Sequence, residues 1–126
     1  MKKLDNKMNF DFNYDSKNDV LYICDSDKEV NESIEFSEDI VLDLDNDGRI
    51  IGIEIFYASE LFNAFNKKIN KKYLENLEEA YLEYKELRNM WFIVVVFKSK
   101  DKTLIYQPMP PLKKSEYISP LIASMK

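Results

Sequence analysis

Five residues between positions 43 and 54 have the types and spacing of a calcium loop. Asp43, Asp45, Asp47, Gly48 and Glu54 fit the EF-hand pattern, in which oxygen ligands at alternate positions wrap a hard divalent cation and a glycine makes the sharp turn. The same residues also fit a β-hairpin turning on Asp47-Gly48. An EF-hand loop sits between two helices, so the segment cannot be both. Its flanks are β-branched, the run before Asp43 lacks helical periodicity, and no second loop of this pattern exists to pair with it. A hairpin is therefore expected. A two-residue loop at Asp47-Gly48 would pair Leu44 with Ile51, Leu42 with Ile53 and Ile40 with Ile55, placing three apolar pairs on one face.

That register puts Asp43, Asp45 and Glu54 together on the opposite face. Glu54 would lie across from Val41 and diagonal to Asp43, about 7–8 Å away at the backbone. Gly52 would face Asp43 and leave a gap above its carboxylate. In a simple meander, the Asp25–Asp27 turn would lie at the same end as Asp45 and Asp47. Such an acidic end has three uses: solvating and capping turns, meeting Lys or Arg from elsewhere, or holding Ca²⁺ or Mg²⁺. The first is expected; if a cation binds, its ligands are Asp43, Asp45, Asp47 and Glu54. A glycosidase-like carboxylate pair has the right residue types, but nothing defines a sugar cleft.

Composition removes most other chemistry. The 126-residue chain has no His, so it lacks the usual neutral-pH base, the usual zinc ligand and every His-dependent triad. Its one Cys, Cys24, can form no internal disulfide and sits in an apolar strand-like run, which reads as a buried thiol. Thr103 is the only Thr, and there is no Gly-rich phosphate loop. Carboxylate, Lys and Tyr remain. No cofactor is expected, and an enzyme working with carboxylates or Lys is the least favoured reading.

The longest purely apolar run, Trp91 to Phe97, is too short to span a membrane, and the basic N-terminus is not followed by the apolar core of a signal peptide. A cytoplasmic protein with no membrane partner is expected. Charge is uneven: residues 1–57 carry 6 basic and 15 acidic side chains, net -9, whereas residues 58–126 carry 12 and 8, net +4. The two halves can attract each other within one fold or between subunits, or form two separately solvated surfaces. Lys67, Lys68, Lys71 and Lys72 form one basic cluster, and Lys98, Lys100 and Lys102 another. Neither has the Arg content or aromatic platform of a nucleic-acid surface, so both read as solvated.

Around the hairpin the chain reads as one domain. Phe10, Phe12 and Tyr14 alternate with polar residues; Val20 to Cys24, Asn31 to Phe36, Ile40 to Asp45 and Arg49 to Phe56 follow between tight polar turns. Five strands of an antiparallel meander over 10–57 are expected. Ser59 is a good helix N-cap, and Phe62, Phe65, Ile69, Tyr73, Leu77, Ala80, Tyr84 and Leu87 recur at helical spacing, predicting a helical segment over 59–90 with a bend or break near Asn66 to Asn70. A separate helix starting at Asn70 is not expected, because Lys71 and Lys72 would crowd its positive end. The same spacing fits a heptad, which makes Tyr81 and Tyr84 candidates for a dimer surface. Trp91 to Phe97 is apolar on both faces, as in a strand buried on both sides, and Thr103 to Gln107 returns as its partner in a hairpin over 91–107. Residues 108–126 form a tail in which Ser115 has the chemistry to cap a short helix and Pro120 limits it.

The pieces Y-D (14–15), D-V-L-Y-I (19–23), E-S-I-E (32–35), I-V-L-D-L-D-N-D-G-R-I-I-G-I-E-I (40–55) and A-S (58–59) resemble, in order and spacing, a small prokaryotic family catalogued as domain of unknown function 2283. The resemblance covers residues 10–60 and supports the Asp-Gly hairpin. It implies no activity, cofactor or catalytic residue, and says nothing of the second half. The expected protein is an α+β domain: an N-terminal antiparallel β-meander, a helix packed on it and a C-terminal hairpin. Its expected function is that of a non-catalytic interaction module, self-associating or binding a small protein partner, with an antitoxin-like role as one form. Asp43, Asp45, Glu54, Tyr81 and Tyr84 are the candidate partner-binding residues. A divalent-cation-binding domain is the alternative.

Overall fold

The computed structural model describes residues 10–114. The alternating segments form β1 (Phe10–Asp15), β2 (Val20–Asp25), β3 (Glu32–Ser37), β4 (Ile40–Leu44) and β5 (Ile50–Phe56). All neighbours are antiparallel, in the order β1-β2-β5-β4-β3. This is not the simple meander expected, because β2 lies beside β5 instead of β3. The reason is burial. β5 has the most buried residues of the five and takes the centre, with Ile50, Ile51, Gly52, Ile53 and Ile55 all buried. β3 carries half-buried Glu32 and exposed Ser33, Glu35 and Ser37 and takes an edge, where charge discourages further pairing.

The β4–β5 turn is also one residue longer than expected. Asp45 N–H donates to Arg49 O at 3.0 Å, which leaves Asn46, Asp47 and Gly48 as a three-residue loop with Gly48 at φ 78. Leu44 therefore pairs with Ile50, not Ile51. A bulge between Asp43 and Leu44 then restores the register, so that Leu42 faces Ile53 and Ile40 faces Ile55 as expected.

The helical segment is short. α1 (Ala58–Phe65) ends where Asn66 turns extended, at φ -151. α2 (Lys71–Glu75) is a separate piece that does start after Asn70, whose Oδ1 accepts the Tyr73 N–H at 2.8 Å. That cap and the exposure of Lys71 and Lys72 to water outweigh the unfavourable dipole. From Leu77 the chain is not helical but an 11-residue strand, β6 (Leu77–Leu87). Ala80, Leu82 and Tyr84 point inward at period two, and a bulge at Leu77–Glu79 hides that period behind a helical one.

β6 pairs with β7 (Met90–Ser99), joined by Arg88-Asn89 with Arg88 at φ 57. β7 pairs with β8 (Leu104–Pro108), as the expected hairpin, and with the short β9 (Leu112–Lys113). A second sheet, β6-β7-β8, thus faces the first. Between them lies one core: Leu21, Ile23, Leu42, Ile53 and Ile55 from the first sheet meet Leu82, Trp91, Ile93, Val95 and Phe97 from the second, with Phe62 and Leu74 from the helices. Phe97 takes the rings of Phe62 and Tyr73 edge-on at 5.2 and 6.2 Å. The Ser115 cap falls outside the described residues. No helix among the described residues is long and apolar enough to cross a membrane.

Candidate functional site

Two sheet faces point away from the core, and the candidate residues divide between them. On the first sheet, β-pairing sets Cys24, Gly52, Asp43 and Ser33 in one row across four strands. Asp43 is 8% exposed. Its Oδ2 accepts the Tyr22 hydroxyl at 2.9 Å and its Oδ1 the Ser33 hydroxyl at 2.7 Å. The gap expected at Gly52 is real and tight: a Cβ there would lie 3.2 Å from Asp43 Oδ2 and 3.3 Å from the Ile23 carbonyl oxygen. Burial and the adjacent Asp43 carboxylate push the Tyr22 hydroxyl well above the usual phenol range. Cys24 is half-buried on this polar face, not in the core as expected. Burial raises its thiol; the Tyr22 hydroxyl works the other way, and Asp11, Asp43 and Asp25 add to the rise. It is the opposite of an activated nucleophile.

Asp45 and Asp47 are not partners of Asp43. Asp45 Oδ1 accepts the backbone N–H groups of Asp47 and Arg49, both at 2.9 Å, which makes it the brace of its own turn. Asp47 is exposed in that turn. Glu54 faces Val41 and Tyr22 across its two neighbouring strands. Asp25 and Asp45 do reach the same end, lining a cavity of about 380 Å³, but Lys28 and Arg49 line it too. Among the described residues no three His, Cys, Asp or Glu side chains are grouped to hold a metal ion.

Tyr81 and Tyr84 separate across β6. Tyr84 points inward, and burial raises its hydroxyl while the Ile50 backbone acts against that rise. Tyr81 points outward and is joined there by apolar residues of β7 and β8. The register aligns Tyr81, Val96 and Tyr106 in one row, Glu83, Val94 and Pro108 in the next, and Lys85 with Phe92 beyond. Val96 is fully buried between the two tyrosines, whereas Phe92 is 39%, Leu104 51% and Tyr106 53% exposed. β7 was expected to be buried on both faces; only the face turned to the core is fully covered. The signal for this surface lay in the apolar odd and even positions of Trp91 to Phe97 together with Leu104 and Tyr106 at period two.

Tyr14, Asp19, Ala58 and Ser59 form a third constellation. Asp19, at φ 59, accepts the Tyr14 hydroxyl at 2.6 Å and the Ser59 N–H and Oγ–H at 2.9 and 2.8 Å, while its carbonyl oxygen takes the Ala58 N–H at 2.9 Å. Helix α1 begins after Tyr57, which has no side-chain cap, so Asp19 caps it from the β1–β2 turn. Ser59, expected to be the N-cap, instead lies inside the first turn.

These features define a two-sheet α+β protein whose first sheet is knit by half-buried hydroxyl–carboxylate contacts. Residues 11–59 match the model of a family described as protein of unknown function (DUF2283). That segment contains both the Asp19 cap and the Asp43 row. A curated relative, "Putative hypoxanthine phosphoribosyltransferase" of Methanosarcina mazei, is 37% identical over 65 residues, 51% of this chain. The chain spans about half, 52%, of that relative's length. No solved structure matches the chain.

Proposed function

We propose that this protein is a non-catalytic interaction module that self-associates through the outer face of β6-β7-β8. The observation that carries the reading is β7, whose composition suits burial on both faces while Phe92, Leu104 and Tyr106 stay exposed beside it. A second copy fits better than an unlike partner. The chain is acidic overall, at net -5, but this face carries Glu79 and Glu83 against Lys85 and Lys98. A balanced face is the region where two copies of an acidic chain meet without repulsion.

Catalytic readings have less support. The relative's name invokes a phosphoribosyl substrate, and this chain has no glycines to spare for a phosphate loop: Gly48 makes the turn and Gly52 lies against Asp43. Asp43 already has a hydroxyl on each oxygen. The cation reading rests on Asp25 and Asp45 sharing a cavity, where Lys28 and Arg49 already supply positive charge.

Light scattering on the wild type and on Tyr106→Glu tests the proposal. Wild type should scatter as a dimer and the variant as a monomer that still unfolds cooperatively. Equal mass for the two would refute this face as the interface.

A further inference from the structure

The two lysine clusters, remote in sequence, meet at one cavity. Lys68, Lys72 and Lys100 line a concavity of about 390 Å³ whose walls include Tyr73, Ser99 and Asp101. The tip of the β7–β8 hairpin is tied to the end of α2 by the Lys100 N–H, which donates to Asn76 O at 2.8 Å. That tie brings the second cluster against the first.

The cations there are available. Lys102 is held by Glu78 at 3.0 Å and lies outside the cavity wall. The ammonium groups of Lys68 and Lys72 have no acceptor among the described residues, and Lys100 only feels the charge of Glu78. Asp101 is the one acid on the wall: Ser99 and Thr103 hydroxyls and the Thr103 N–H donate to its Oδ1 and hold its carboxyl below the usual range, so it stays charged and offsets one of the three lysines, leaving the wall net positive. The Tyr73 ring is fixed as a flat wall by its hydroxyl, which donates to Thr103 O at 2.9 Å, and by its edge contact with Phe97.

We infer that this cavity binds a small polyphosphate anion. Three lysines lining one concavity match several negative charges on a compact body, which a single carboxylate does not bring. The volume lies within the range of small-molecule sites, about 300–1,000 Å³. Self-repulsion of unpaired lysines in an otherwise acidic protein is relieved when such an anion enters.

The test is titration of the full chain with inorganic pyrophosphate at constant ionic strength, followed by amide NMR. Saturable binding with a dissociation constant of about 1 mM or tighter is expected. Shifts should concentrate at residues 68–76 and 99–101. The double variant Lys68→Glu with Lys72→Glu should bind at least about tenfold more weakly, a loss of roughly 1.4 kcal/mol. Both lysines are exposed, so its melting temperature should stay that of wild type. Shifts scattered over all lysines, no saturation, or equal binding by the variant would each overturn the inference.

Discussion

The Asp19 carboxylate accepts the backbone N–H of Ser59, 40 residues away, at 2.9 Å. One side chain in the first turn thereby starts the first helix and fixes how the β1–β2 hairpin meets it. Asp19→Ala should cost about 1–2 kcal/mol, as loss of an N-cap does, and should free the Tyr14 hydroxyl as well. Thermal or urea melting reads this directly. A loss under a few tenths of a kcal/mol would show that the cap is idle.

The same group sets an acid limit. Burial works to raise the Asp19 carboxyl, but the Tyr14 hydroxyl, the Ser59 donors and the Lys71 charge together hold it below its ordinary value. A carboxyl lowered in the folded state contributes stability that is fully present above the unfolded value, about 3.9, and is lost as pH falls through the folded one. Acid melting of wild type and Asp19→Asn should therefore differ at pH 6 and converge at the acid end.

Alkali should act through the tyrosines. Burial raises Tyr73, near the Asp101 charge, and Tyr81, beside Tyr106, each to about 12, and Tyr14 and Tyr22 are raised further. A phenol raised in the fold contributes stability that is complete below its unfolded value, about 10, and is lost as pH rises through the folded one. Stability should fall between about pH 10 and 12, with the phenolate signals of Tyr14, Tyr22, Tyr73 and Tyr81 appearing only as the chain unfolds. Ionisation of these four tyrosines at pH 10 in the folded chain, read residue by residue by NMR, would contradict the burial of their hydroxyls.

Gly52 should not tolerate a methyl group. The neighbours at 3.2 and 3.3 Å include the Ile23 backbone, which cannot swing aside. Gly52→Ala should destabilise by about 1–3 kcal/mol, whereas alanine at an exposed strand position changes little. Urea melts of the two variants decide it.

The sequence made the first half legible because its signals are local. Phe10, Phe12 and Tyr14 alternate, and the Asp-Gly turn and its apolar pairs place β4 against β5. What stayed hidden depends on long-range competition: β5 displaces β3 from the side of β2 because it buries more. β6 was misread because Tyr73, Leu77, Ala80 and Tyr84 keep helical spacing by chance across a helix end and a bulge, while Ala80, Leu82 and Tyr84 carry the true period. Asp43 was placed correctly opposite Gly52, but its hydroxyl partners Tyr22 and Ser33 lie on other strands, and no spacing rule joins them.

Sedimentation velocity of the full chain across a hundredfold range of concentration addresses the proposed function most directly. One species at twice the chain mass is expected, dissociating on dilution and absent in Phe92→Lys and Tyr106→Glu. A wild type that stays at the chain mass throughout, or a dimer that survives both substitutions, would contradict it.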